Sequence, residues 1–167
     1  LYEAIRALSD IKENPDSTAA MIQAAEQELI RAQSAIEYIS EANKTARMNW
    51  WTVEYGLLGD VDDFKIYGAG LLSSVAESQN CLKPDVRKIP LDVHCVETSY
   101  NITEPQPQLF VAKDIDHLKE VLAQFEKTLS FHRGGVYGLE QAHKGATVTT
   151  VELNSGTQIS GQVDSWE

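Results

Sequence analysis

The residues of this chain best suited to chemistry are concentrated in Trp50-Trp51-Thr52-Val53-Glu54-Tyr55-Gly56. On a helix, Trp50 and Glu54 stand four residues apart on one face, so a carboxylate is held beside an indole with Tyr55 next to it. An acid set against aromatic walls can hold a ligand ring and a metal ion together. The same spacing also describes an exposed acid in a last helical turn whose tryptophans fill the core, the commoner fate of a carboxylate. A second candidate is the Gly68-Ala69-Gly70 turn leading into Leu71-Leu72-Ser73-Ser74. Glycine permits close backbone approach, and free N–H groups at a helix start attract an anion such as an amino-acid carboxylate. It is no dinucleotide fingerprint, because Ser73 stands at the third glycine position and no βαβ unit surrounds it. A tight turn with a capping serine accounts for it equally well.

Other chemistries find little support. His94, His117, His132 and His143 are scattered, and no two have the three-, four- or five-residue spacing of a local metal motif. No serine sits in a G-x-S-x-G elbow. Cys81 and Cys95 have no CxxC spacing, which leaves zinc and redox motifs unsupported. Asp60, Asp62 and Asp63 lack the glycine and glutamate of a calcium loop and read as a solvated turn.

Several elements must position these residues. Leu1, Ile5, Leu8 and Ile11 form a one-sided apolar stripe, broken at Asn14-Pro15-Asp16-Ser17, where Asp16 or Ser17 can cap a second helix. That helix carries Ile22, Ala25, Leu29, Ala32, Ile36 and Ile39, and the periodicity resumes through Ala42, Ala46, Trp50 and Val53 to end at Gly56. Short apolar runs at 55–58 and 64–67 flank the acidic turn and predict a hairpin. Ser74 and Glu77 have capping-box spacing. The proline-rich segment 83–107 reads as loops with one short strand near Val93 to Val96, and Asp114 caps an amphipathic helix bearing Leu118, Leu122, Phe125 and Leu129. Gly134-Gly135 breaks the chain, and the tail around Asn154-Ser155-Gly156 predicts a second hairpin. The fold class is mainly α with short β hairpins (α+β), divided into a helical hairpin (1–44), a central part (45–130) and an extension (131–167).

The composition of the 167 residues is ordinary for a globular chain, with 43% hydrophobic and 23% charged residues. Acidic residues outnumber basic ones 25 to 14, for a net charge of −11. That balance argues against nucleic acid and anionic membrane surfaces as partners. No apolar run is long enough to span a bilayer, and the expected setting is cytoplasmic.

The block 50–57, followed by Tyr67-Gly68-Ala69-Gly70-Leu71-Leu72-Ser73-Ser74 and Glu77, resembles the pterin-dependent aromatic amino acid hydroxylases. A third block agrees in the right order: Tyr100-Asn101-Ile102-Thr103-Glu104-Pro105-Gln106-Pro107, then Leu109-Phe110-Val111-Ala112. The resemblance spans roughly residues 45 to 130, and the helices before it look like the insertion of long bacterial members of phenylalanine hydroxylase type. It implies an aromatic amino acid substrate, O2, Fe(II) and tetrahydrobiopterin. Glu54 would be the carboxylate ligand of an iron otherwise held by two histidines. Trp50 and Tyr55 would line the amino-acid pocket. Ser73, after Gly70, would bind the substrate carboxylate, and Tyr100 and Glu104 match positions near the site.

The family's His-x4-His segment and most of its pterin loop lie upstream of the carboxylate, and neither occurs within these residues. Asn49 stands where the animal enzymes carry an aromatic. Since Leu1 falls inside an apolar helical pattern, the expectation is a C-terminal portion of a catalytic domain plus an extension, inactive without its N-terminal remainder. The alternative is a non-catalytic protein on the same scaffold that binds an aromatic amino acid or a protein partner.

Overall fold

The computed structural model describes residues 1–36, 38–102 and 104–166, so Thr103 of the third motif block lies outside the described residues. The chain separates into two compact units, Leu1–Ile39 and Ser40–Glu167.

The first unit is a helical hairpin of α1 (Tyr2–Glu13) and α2 (Ala19–Ser34). Leu8, from the middle of the apolar stripe, is its buried residue. Lys12 and Glu26 pair across the two helices at 3.3 Å. The cap of α2 is Thr18, one residue beyond the expected pair, and its hydroxyl accepts from the Met21 N–H at 3.3 Å. Ile36 and Ile39 continue the apolar spacing but lie past the end of α2. A new helix starts instead at Ser40, whose hydroxyl accepts from the Asn43 N–H at 3.2 Å. A side chain that satisfies an orphan donor in this way favours a fresh start over continuation.

The second unit carries α3 (Glu41–Asn49), which widens at its end into a π-turn, Trp50–Glu54. Next come β1 (Leu57–Asp60) and β2 (Asp63–Ile66), the expected hairpin, then two short helices, α4 (Ala69–Ser73) and α5 (Val75–Asn80). Ser74 caps α5 through the Glu77 N–H at 3.3 Å, as the capping-box spacing predicts. The strand expected near Val93 is instead a 3-10 turn, Val93–Glu97. Asp92 causes it: its carboxylate accepts from the His94 N–H at 2.8 Å and fixes a helical start. The strand of this region lies earlier, as β3 (Arg87–Pro90).

β4 (Gln108–Ala112) is buried at every position and lies between β1 and β3, parallel to both. A strand covered on both faces reads as an unbroken apolar run, which Leu-Phe-Val-Ala is. The sheet order β2-β1-β4-β3 makes this a four-stranded mixed sheet, larger than the isolated hairpins expected, within a helix-rich α+β fold. Against it packs α6 (Ile115–Glu126), started by Asp114 through the His117 N–H at 2.8 Å, with Val121 and Phe125 buried.

Beyond it the expected break is a helical corner. Gly134 and Gly135, both at φ 56°, join α7 (Ser130–Arg133) to α8 (Gly135–Gly145). The Glu41 carboxylate fastens this corner to α3, accepting from the Ser130 N–H at 3.0 Å and its hydroxyl at 2.9 Å. The tail ends in the predicted hairpin, β5 (Thr149–Glu152) with β6 (Gln158–Gly161).

Candidate functional site

The site begins with the π-turn. The Tyr55 N–H donates to the Trp50 carbonyl at 2.8 Å, five residues back instead of four. Thr52, fully buried, sends its hydroxyl to the Met48 carbonyl at 2.6 Å, a bond of the kind that bends helices. Single π-turns of this kind frequently mark functional positions. Here the extra residue turns Trp51 into the core, where it is fully buried, and leaves Trp50, Glu54 and Tyr55 half-buried at the rim.

Trp50 is the centre of a ring stack. Tyr55 lies 4.5 Å from it at 15° and Tyr100 lies 4.2 Å from it at 9°. Two nearly parallel rings this close to one indole would overlap if they shared a face, so they cover opposite faces. The indole therefore offers a ligand its edges, and the outward faces of the stack belong to the tyrosines. The Trp50 N–H is enclosed and has no hydrogen-bond partner among the described residues. Leaving it so costs about 1–3 kcal/mol.

Glu54 is the free group of the cluster, since its carboxylate has no hydrogen bond or ion pair among the described residues. Gly70 comes up against it. A methyl group built there would lie 3.0 Å from the Tyr55 ring and 3.3 Å from Glu54 Oε2. The glycine turn thus sits where carboxylate and phenol meet. Gly68 is tighter still, with a methyl there 2.5 Å from the Glu54 carbonyl. Burial, then the charges of Glu77 and Glu54, push the Tyr55 phenol above its ordinary range. Burial likewise raises Glu77. The phenol accordingly stays protonated and able to donate.

The other expected residues stand farther from this centre. Ser73 is exposed, and its hydroxyl turns back to the Gly70 carbonyl at 3.2 Å. Glu104 and Asn49 are exposed. Three histidine rings are engaged elsewhere: His117 accepts from the Lys113 N–H at 3.1 Å, His132 meets Glu126 at 2.9 Å, and His143 lies 3.2 Å from the Val163 carbonyl. Among the described residues no three His, Cys, Asp or Glu side chains gather as a metal site. Glu54 suits one position of a two-histidine, one-carboxylate iron centre, and the described residues bring no two histidines to it.

Two contributors were not evident from spacing. Glu77 stood out as a helix cap and as the end of the second motif block, with no sign that its charge would act on Tyr55. Gln106, between two prolines, gave no sign of being 2% exposed and bonded to the loop that carries Tyr100.

The family profile described as biopterin-dependent aromatic amino acid hydroxylase matches residues 25–143, a stretch that includes the π-turn, the glycine turn and the Tyr100 loop. The chain belongs to this family. Among its relatives, phenylalanine-4-hydroxylase of Rattus norvegicus is 42% identical over 96 residues, covering 56% of this chain and 20% of that protein. Protein henna of Drosophila melanogaster is 36% identical over 125 residues, covering 73% of this chain and 26% of that protein. This hydroxylase-family chain thus spans about a fifth to a quarter of the length of these relatives. The fold agrees with that of Chromobacterium violaceum phenylalanine hydroxylase, solved with bound Fe(III): TM-score 0.50, 23% identity, covering 78% of this chain and 43% of that one. No described helix of the hydroxylase-family chain is long and apolar enough to cross a membrane.

Proposed function

We propose that this chain is the carboxylate-bearing part of a cytoplasmic monooxygenase that hydroxylates an aromatic amino acid, phenylalanine to tyrosine, with O2. The observation that carries the reading is the unpaired, half-buried Glu54 carboxylate, set by a π-turn beside the Tyr55–Trp50–Tyr100 stack. Family membership supports it, as does the identity to phenylalanine-4-hydroxylases.

On this reading Glu54 holds Fe(II) together with two histidines of a His-x4-His segment outside these residues. The iron and tetrahydrobiopterin, when bound, supply the activation of O2. This chain's own residues do the remaining work. The Glu54 oxygens are open to the metal because no cation or donor among the described residues bonds to them. Tyr55 and the edge of Trp50 present an apolar, aromatic wall to the substrate ring, which edge-to-face and offset contacts favour. Gly70 carries no side chain, so ring and carboxylate can approach the same point. Ser73, on the outer rim of that turn, meets the substrate's carboxylate on this reading once its hydroxyl leaves the Gly70 carbonyl.

The test uses the full-length protein containing these residues, supplied with Fe(II), tetrahydrobiopterin and phenylalanine in air. Tyrosine should form, and Glu54→Gln should lower both retained iron and tyrosine formation by about a hundredfold or more. An active Glu54→Gln protein with a full complement of iron would overturn the assignment. A longer chain without a His-x4-His segment would favour a non-catalytic role for the scaffold.

A further inference from the structure

We propose that Gln106 is a positioning residue that holds Tyr100 against Trp50 and thereby sets the wall met by the substrate ring. The inference rests on the functional reading above for its kinetic consequence, though not for its geometry.

Gln106 is 2% exposed, an unusual depth for a glutamine in a loop. Its amide is fully used. Oε1 accepts from the Asn101 N–H at 3.2 Å, while Nε2 donates to the Asn101 carbonyl and to the Glu104 carbonyl, the latter at 3.3 Å. The side chain thus treats Asn101 as a neighbouring strand would, matching both its N–H and its C=O. Asn101 directly follows Tyr100. On the other side, the Trp51 indole N–H donates to the Thr98 carbonyl at 2.9 Å. Tyr100 is therefore pinned from both flanks, by a buried indole and a buried amide, and its ring lies 4.2 Å from Trp50.

The chemistry required at position 106 is narrow. It needs one acceptor and two donors on a planar group of this length. Leucine fills the volume and removes the bonds that Gln106 makes to one N–H and two carbonyls. Glutamate keeps the shape but offers no donor to two carbonyls when ionised. Either change releases the Tyr100 side of the stack, while Glu54 and the π-turn, held by Thr52 and the glycine turn, keep their places.

The experiment compares Gln106→Leu, Tyr100→Leu and the double variant in the full-length, iron-loaded protein. Two readings are taken: the KM and kcat for phenylalanine, and the near-ultraviolet circular dichroism of the stacked rings. Gln106→Leu should raise KM about tenfold with kcat within about twofold, and should remove the dichroism of the stack. Tyr100→Leu should do the same. The double variant should be no worse than either single one, because residues acting through one contact are not additive. An unchanged KM and dichroism in Gln106→Leu, or additive losses in the double variant, would overturn the proposal. Should Gln106→Leu fail to fold, the isosteric Gln106→Glu carries the same comparison. If the parent protein forms no tyrosine, the functional reading falls, and the dichroism alone still decides whether Gln106 sets the stack.

Discussion

The molecule contains two hairpins of the same size with opposite circumstances. β1–β2 and β5–β6 each pair two four-residue strands in antiparallel register, and each uses a glycine at positive φ, Gly59 at 119° and Gly156 at 80°. Leu57 of the first is fully buried, and β1 pairs along its other edge with β4. Every residue of β6 is exposed, Ile159 by 57%, and β5 and β6 pair with no third strand among the described residues. Turn chemistry is thus enough to make a hairpin but not to give it a role. What distinguishes the first is its entry and exit. Gly56 follows the π-turn and Gly68 follows β2, and the N–H groups of Tyr67 and Gly68 both donate to the Gly56 carbonyl, at 3.3 and 3.0 Å. The strands between them serve to bring the glycine turn back onto Glu54.

The strongest way to break this contrast is Gly56→Ala. Its added methyl would fall 2.1 Å from the Thr52 carbonyl and 2.4 Å from the Tyr67 ring, so backbone must move. We expect a loss of about 3 kcal/mol or more, above the usual cost of overpacking because a carbonyl cannot yield as a side chain can. Urea unfolding checks it, and on the role proposed for Glu54 iron retention should fall with stability, since Glu54 shares the displaced turn. The matching change in the tail, Gly156→Ala, meets nothing within 4 Å. Its cost is the left-handed backbone alone, about 1 kcal/mol, with no effect on the proposed iron site. Equal losses at the two glycines would erase the distinction drawn between the hairpins.

The same contrast explains how legible each part was in the sequence. Both hairpins, the Asp114 cap and the Ser74 cap are local codes, written within a few residues of the atoms they fix. The motif blocks likewise brought Trp50, Glu54, Tyr55, Gly70 and Tyr100 to notice, and the structure gathers these five in one cluster. What escaped was set by distant partners. The parallel register of β3 with β4 depends on residues about twenty positions apart, and no spacing within Arg87–Pro90 announces it. The α7–α8 corner is held by Glu41, 89 residues away, so its sequence alone read as a break. The apolar spacing through Ile36 and Ile39 misled for the opposite reason: the local cap at Ser40 outweighed the periodicity. Ser73 shows a third case, in which the motif names the residue while its hydroxyl is committed to the Gly70 carbonyl.

The smallest expected effect sharpens the picture of the first hairpin's exit. The Tyr67 ring lies over Gly56, and its hydroxyl oxygen is enclosed with no partner among the described residues. Burial pushes its phenol up from 10 to about 12. The folded chain therefore keeps a proton that the unfolded chain releases above pH 10. Stability from this group is whole below pH 10 and is lost as pH rises towards 12. Cys95, raised from 9 to about 12 by burial and then by Asp92, adds a similar loss beginning near pH 9. Tyr67→Phe removes the first of these and leaves the second. At pH 8 the variant should match the parent or exceed it by up to about 1 kcal/mol, since it deletes a buried hydroxyl with no partner among the described residues. Between pH 10 and 11 its urea midpoint should decline less steeply than the parent's. A variant less stable at pH 8 with the same alkaline slope would mean that the hydroxyl is satisfied, and that the ring's place over Gly56 depends on that bond as well as on packing.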